Sequence, residues 1–322
     1  MKRFAYITGC LGFIGSEFTR LLLSKGWKVY GVDSITYAAN TDNLKEFLNS
    51  KNFEFIQKSI QTLDRLEECD YVFNFAAESH VENSIINSNM FMDTNINGVR
   101  NLLELIRAKP INSATRPLFV HISTDEVYGD ISSGFHTETD PLKPSNPYAA
   151  TKAAADMLVM AWGRTFDIEY NIVRPTNNYG PNQHPEKLIP SCLRNLDRGK
   201  RIKLHNKGTP VRTWLHIKDT ATGVLAVAEK GKRNEIYNIS GNFECENNYT
   251  IDLILKEYFG NQNYNRDLLI DYGYNRQGQD VRYALDDSKL KSLGWSPQAD
   301  FESEIKMIVQ KYKKEIDDNE QG

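Results

Sequence analysis

The stretch Phe4-Ala5-Tyr6-Ile7-Thr8-Gly9-Cys10-Leu11-Gly12-Phe13-Ile14-Gly15 decides the fold. A short apolar run enters three glycines spaced G-x-x-G-x-x-G, and a helical pattern follows over residues 15–24. Glycines placed this way permit a tight turn, close approach of backbone to a pyrophosphate, and close packing of helix on strand. An anion there meets unpaired N–H groups at a helix N-terminus. Glycine-rich turns are common, so the weight lies in the position of this one, after a strand and opening a helix. Gly9, Gly12, Phe13, Ile14 and Gly15 are the expected contacts of a dinucleotide.

The pattern repeats along the first half of the chain. Strands are expected at 28–32, 54–57, 71–75, 118–123 and 170–174, and helices at 94–108 and 148–164. Apolar strands alternating with helices predict an α/β fold, a Rossmann-like doubly wound parallel sheet covered on both faces. The short crossover from Ser59 to Asp70 leaves room for a helix of about two turns. Past Arg174 turn-forming residues cluster at 177–181 and 206–210, with helical stretches at 186–198, 219–230, 250–259 and 302–315. The expected division is a nucleotide-binding domain over 1–176 and a smaller α/β substrate domain over 177–316, with strands free to cross the boundary. The tail, 317–322, has no apolar residue to bury and reads as disordered.

Composition narrows the partner. A formal net charge of -3 without a basic run argues against nucleic acid, and no stretch reaches the ~20 apolar residues of a membrane span. The charged start Met1-Lys2-Arg3 leads into a strand that breaks at a glycine, not into a signal peptide. Cys10, Cys69, Cys192 and Cys245 lack paired spacing for zinc or redox chemistry, so no metal is expected. Scattered thiols suit a reducing compartment, here read as the cytoplasm.

Asp33 ends the second strand, where an acid meets the adenosine ribose hydroxyls. A carboxylate there repels the extra phosphate of NADP, and Ser34-Ile35-Thr36 offers no cation to receive it, so NAD is favoured. Tyr148 and Lys152 lie four apart on one helix face. A tyrosine of pKa near 10 becomes a usable base if the lysine ammonium and a positive nicotinamide stabilise its phenolate. Ser123-Thr124-Asp125-Glu126-Val127-Tyr128-Gly129 leaves the fifth strand where ligands bind in doubly wound sheets. Adjacent carboxylates supply one acid and one base if their environments separate them. Strand neighbours point to opposite faces, so both reach one substrate only if the chain turns, which Gly129 permits.

With these residues in place the chain resembles the extended short-chain dehydrogenase/reductases, and within them the nucleotide-sugar 4,6-dehydratases of the dTDP-glucose type. The segments carrying the likeness are TGCLGFIGS (8–16), VDSITYAAN (32–40), NFAAESHVENSI (74–85), HISTDEVYGD (121–130), NPYAATKAAAD (146–156), NNYGPNQHPEKLIP (177–190), VRTWLHIKD (211–219) and VRYALDDSKLKSLGW (281–295). Sugar-nucleotide 4-epimerases on this fold lack the acid pair after the threonine. The resemblance implies a redox-neutral reaction. Tyr148 takes the C4 hydroxyl proton as hydride leaves for NAD, Glu126 removes the C5 proton, and Asp125 protonates the C6 oxygen. Hydride then returns to C6. Thr124 would orient the C4 hydroxyl and Lys152 hold the nicotinamide ribose. The same likeness adds Ser34, Thr36, Ser59, Ile60, Ala76, Ala77, Ser79, Thr94 and Asn177 for the cofactor. For the sugar nucleotide it adds Ser79, His80, Asn178, Glu186, Lys187, Leu188, Lys203, His205, Arg212, Asn247 and Arg276. It also implies a homodimer packed through 94–108 and 148–164.

Four departures stand against the family pattern. Ser59 replaces an aspartate near adenine, and Lys203-Leu204-His205-Asn206 replaces Pro-Ile-Tyr-Gly near the base. Arg276-Gln277-Gly278-Gln279 replaces Arg-Pro-Gly-His, and Arg174-Pro175-Thr176 replaces small polar residues. All but the first are expected on the substrate side. A UDP-linked glucose or N-acetylhexosamine is therefore a rival substrate, including a partial reaction with C4 oxidation, C5–C6 alkene reduction and C5 inversion. A non-catalytic dinucleotide sensor is the remote alternative.

Overall fold

The computed structural model describes residues 3–110, 116–273, 278 and 280–320, the side chains as far as 316. Seven parallel strands form the main sheet: β1 (Phe4–Thr8), β2 (Lys28–Asp33), β3 (Phe53–Gln57), β4 (Tyr71–Asn74), β5 (Leu118–Ile122), β6 (Tyr170–Pro175) and, from much later in the chain, Glu235–Ile239. Their order is β3-β2-β1-β4-β5-β6 followed by that last strand, so the winding reverses between β1 and β4. Such a reversal opens a crevice at the carboxyl ends of the two strands.

Every residue of β5 and β6 is buried, as expected of strands covered on both faces. Helices Phe13–Ser24 and Ile217–Lys230 cover one face through Phe18, Leu22, Val224 and Ala228. Helices Val99–Arg107 and Pro147–Phe166 cover the other through Leu102, Ile106, Ala155 and Val159. Helix Ile217–Lys230 and the seventh strand thus return to the first unit across the expected boundary after 176. With the seventh sheet strand, Glu235–Ile239, numbered β10, the remaining strands are β7 (Asn177–Tyr179), β8 (Ile202–Lys203), β9 (Val211–His216), β11 (Phe243–Glu246) and β12 (Ile270–Asp271). They form the sheets β11-β9-β7 and β12-β8, packed with helices Leu188–Asp197, Asn247–Phe259 and Phe301–Glu320 around a second core.

Between Ser59 and Asp70, where the crossover left room for about two turns, no helix forms. Ile60, Leu63, Leu66 and Cys69 are buried at helix-like spacing, yet the carbonyls of Ile60 and Leu63 accept from Asn101 Nδ2, and that of Leu66 accepts from Lys109 Nζ. Side chains of a neighbouring helix supply the hydrogen bonds that a local helix would have made. The segment expected to be a disordered tail continues the last helix to Glu320, because Asp317-Asp318-Asn319-Glu320 contains no breaker. The helix expected at 94–108 begins at Asn89, and Met92–Gly98 is wound as a π-helix. No helix of the described residues is long and apolar enough to cross a membrane.

Candidate active site

The glycine turn sits where β1 and β4 diverge. Gly9 has φ +68°, and a Cβ there would lie 2.7 Å from the backbone nitrogen of Ala76 at the end of β4. A Cβ on Gly15 would run into the Gly9 carbonyl oxygen. Helix Phe13–Ser24 starts at Gly12, which has no side chain to cap it, and its first turn holds no acidic residue. The N–H groups of Phe13, Ile14 and Gly15 are those a helix leaves open, and no capping side chain covers them. This cradle fits a dinucleotide pyrophosphate.

Asp33 accepts from the backbone N–H groups of Leu11 (3.0 Å) and Ile35 (2.9 Å), which ties the strand end to the glycine turn. Burial raises its pKa, and the surrounding N–H groups oppose that rise. Ser34 and Thr36 are exposed beside it. Across the crevice Ser59 pairs its hydroxyl with Thr62, Ile60 is buried, and Ala76 and Ala77 are half-buried. Gln61 donates to Thr94 Oγ1 (3.0 Å) on the π-helical segment. That segment also aims Asn95 inward, where it bonds the backbone N–H and carbonyl of Glu78 and the hydroxyl of Thr151 on the catalytic helix. A widened turn at such a place is typical of functional helices. Asn95 had no signal in the helical periodicity.

The acid pair turns as Gly129 allows. Thr124 is extended and begins a 3-10 turn, Asp125–Tyr128, closed by Gly129 at φ +80°. Thr124 donates to Asp125 Oδ1 (3.1 Å) and accepts from the Glu126 N–H (3.3 Å). Asp125 is buried with Oδ2 unpartnered. Burial, reinforced by the Glu126 charge, pushes its pKa up to about 8. Glu126 is half-buried, and its Oε2 accepts from Asn146 Nδ2 (3.2 Å).

Tyr148 and Lys152 occupy the first turns of helix Pro147–Phe166, both buried. Burial and the Glu126 charge push the Tyr148 phenol up, with a Thr124 hydrogen bond opposing. Lys152 Nζ donates to the Ile122 carbonyl (2.6 Å), and burial lowers its pKa to about 8 against the pull of Asp156. One turn further on, Asp156 accepts from Arg174 Nε (2.9 Å), and Arg174 donates to the Tyr128 hydroxyl (2.7 Å). Arg174 is 1% exposed, so this departure lies in the core beneath the catalytic helix and not on the substrate side. Its charge is spent on Asp156 and on the Tyr128 ring, 4.7 Å below.

The substrate side is gathered from distant segments. Lys187 Nζ reaches the carbonyl of Ser79 (3.2 Å), and Glu186 lies 3.8 Å from His80 Nε2 and 3.4 Å from His184. His80 caps helix Val81–Ile86, and Leu188 opens helix Leu188–Asp197. His205 pairs with Glu82 at 3.3 Å, a further contact between the two units, while Lys203 is exposed at the end of β8. Leu204 is buried in the second core. Arg212 stacks 4.6 Å over the Tyr283 ring and binds the carbonyls of Val211, Val281 and Asp280. Among the described residues those three bonds leave Nε and one Nη2 hydrogen for an anion. The Asn178 amide is occupied, donating to Thr176 and accepting from Thr220. Asn177 Oδ1 and Asn247 Oδ1 are buried without partners. Arg276 lies outside the described residues.

Sequence reasoning missed Asn146 and Tyr283. Asn146 stands before Pro147, an N-cap followed by proline at the first helical position, and that signal was readable. Tyr283 had none, because it approaches Glu126 from 157 residues away.

The model of the family described as GDP-mannose 4,6 dehydratase matches residues 6–308. A low-salt glycan biosynthesis protein of Haloferax volcanii is 39% identical over 95% of this chain and 97% of its own. A trifunctional UDP-glucose 4,6-dehydratase/UDP-4-keto-6-deoxy-D-glucose 3,5-epimerase/UDP-4-keto-L-rhamnose-reductase of Arabidopsis thaliana is 39% identical over 95% of this chain, which spans 46% of that longer protein. The crystal structure of dTDP-glucose 4,6-dehydratase from Streptomyces venezuelae, with NAD and TYD bound, superposes with a TM-score of 0.89 at 37% identity and 97% coverage of both chains. With a match of this extent over a seven-stranded Rossmann-like sheet, the chain belongs to the GDP-mannose 4,6 dehydratase family of extended short-chain dehydrogenase/reductases.

Proposed function

We infer that this chain is an NAD-dependent nucleotide-sugar 4,6-dehydratase, a hydro-lyase that forms a 4-keto-6-deoxy sugar, with dTDP-glucose as the nearest substrate. One observation carries the reading. Asp125 and Glu126 are adjacent in sequence, yet one turn beside Thr124 and Tyr148 gives them different surroundings, with Asp125 held as the acid by burial. Hydride movement at C4 needs no such pair, whereas loss of water across C5 and C6 needs both an acid and a base.

In this reading Tyr148 accepts the C4 hydroxyl proton while Thr124 orients that hydroxyl. Bound NAD supplies the acceptor and later the donor of hydride, together with a positive ring that favours the phenolate. Glu126 takes the C5 proton, made acidic by the neighbouring ketone. Asp125 gives its proton to the C6 oxygen, which leaves as water; hydride then returns to C6 and the proton held by Glu126 returns to C5. Gly9, Gly12 and the first turn of helix Phe13–Ser24 would hold the pyrophosphate, Asp33 the ribose, and Lys152 the nicotinamide ribose. Arg212 would take the substrate diphosphate with its remaining donors, and Lys187, Glu186 and His80 would border the sugar. We extend the proposal to a homodimer in the cytoplasm, which the four unpaired thiols suit.

A UDP-linked sugar is the second reading. It is favoured by the base-side segment, where Leu204 is buried and His205 is drawn to Glu82, so neither supplies the aromatic face of the family pattern. Incubation with dTDP-glucose, UDP-glucose and UDP-N-acetylglucosamine separately, without reductant, tests both. Loss of one water from one substrate with no net reduced NAD is the expected outcome and names the nucleotide. No loss of water from any of the three overturns the complete dehydration.

A further inference from the structure

Among the described residues, the hydrogen bonds to the Glu126 carboxylate fall on Oε2, which leaves Oε1 for the proton it receives. One contact comes from the tyrosine hydroxyl of Tyr283, at 3.5 Å. That hydroxyl has a single proton and gives it to Asp280, which also accepts from Ser145. The other comes from Asn146. This residue is 6% exposed and caps the catalytic helix, its Oδ1 accepting from the Ala149 N–H at 2.9 Å. Its Nδ2 is therefore turned away from the helix and donates to Glu126 at 3.2 Å. An amide carries an acceptor and donors on one planar group, so one side chain can close the helix and hold the carboxylate. Serine and aspartate cap about as well. Aspartate has no proton to offer, and a serine hydroxyl in the capping position falls short of Glu126.

The groups that face Glu126 are Asp125 on its own turn, Tyr148 on the catalytic helix, and Tyr283 with Asp280 behind it. Each of these is an acid or leans on one. Asn146 is the neutral donor in the set. Resting on the assignment of Glu126 as the C5 base, we propose that Asn146 is a positioning residue for that proton transfer. Its amide fixes Glu126 against the helix that carries Tyr148, so the base that acts second is registered to the base that acts first. The proton passes from C5 to Glu126 Oε1, and the C–H electron pair is taken up by the adjacent ketone. A misplacement of about 1 Å at such a step costs on the order of 10²-fold.

Cap-preserving variants separate this role from helix stability. Full-length Asn146→Ser, Asn146→Asp and Glu126→Gln, loaded with NAD, are given whichever of dTDP-glucose, UDP-glucose or UDP-N-acetylglucosamine loses water with the parent protein. In D2O, reduced NAD reports C4 oxidation and deuterium at C5 reports the second step. Both Asn146 variants are expected to melt within a few degrees of the parent and to form reduced NAD within about twofold of its rate. Deuterium incorporation should fall about 10–100-fold, so reduced NAD accumulates. In Asn146→Asp, but not Asn146→Ser, a second carboxylate against Glu126 should move the acid limb of the C5 step to higher pH. Unchanged exchange in both variants overturns the inference, as does a parallel loss of reduced NAD formation. If Glu126→Gln still exchanges C5, the base assignment itself fails. If it stops exchange while the Asn146 variants do not, only the role of Asn146 fails.

Discussion

The cofactor half and the substrate half of the site are built on opposite principles. The cofactor half is local and depends on missing side chains. Gly9, Gly12 and Gly15 fall within seven residues, and their partners are backbone atoms. The substrate half is assembled from segments around 79, 126, 186, 205, 212 and 283, and it depends on long charged and aromatic side chains holding one another. A defect in the first half is steric and has no partial form. A defect in the second is electrostatic and graded.

That contrast can be broken by substitution. Gly15→Ala should show the largest effect, loss of retained NAD on purification together with a lowered melting temperature, because the new Cβ meets the Gly9 carbonyl. Retention of NAD by this variant would remove the steric half of the comparison. Next comes the pair beneath the catalytic helix. Arg174→Met strands Asp156 in the core and should cost about 3–5 kcal/mol in urea unfolding, with most of it recovered by adding Asp156→Leu.

Arg212→Lys keeps the charge but loses the planar fork, so kcat/KM for the nucleotide sugar should fall by about 1.5–3 kcal/mol in transition-state terms while NAD content stays unchanged. A parallel loss of NAD would mean that the two halves are not separable. Asp125 supplies a pH test. Its pKa is raised to about 8, so the proton it donates is present below that pH and lost above it. The dehydration rate should fall roughly tenfold per unit above pH 8, and Asp125→Asn should remove that limb along with most of the elimination. The smallest effect belongs to a surface feature of the cofactor half. Asn40 caps helix Thr41–Leu48 by accepting from the Asp42 N–H, and Asn40→Ala should cost about 1 kcal/mol of stability without altering kcat.

Legibility followed the same divide. The six strands of the first half were readable to within a residue or so, because a buried parallel strand is a continuous apolar run between turn signals. The turn at Asp125 was readable from Gly129. The loop from Ser59 to Asp70 was left open by the sequence, because its buried residues recur every third position, a spacing that helices share. What prevents a helix there is Asn101 and Lys109, some forty residues away in sequence. The place of Lys152 on the helix face beside Tyr148 was plain, whereas its hydrogen bond to the Ile122 carbonyl lies with a strand that no periodicity reports.

The sequence by itself determined the doubly wound sheet, the cofactor turn, the acid pair and the tyrosine–lysine helix. These rest on backbone geometry and on spacings of a few residues. Only the tertiary structure decided that Arg174 is buried against Asp156, that β10 completes the main sheet, that Asp125 is buried more deeply than Glu126, and that Asn146 and Tyr283 converge on Glu126. A charged side chain takes its function from the partner and the degree of burial that folding brings to it, and neither is written in its immediate neighbours.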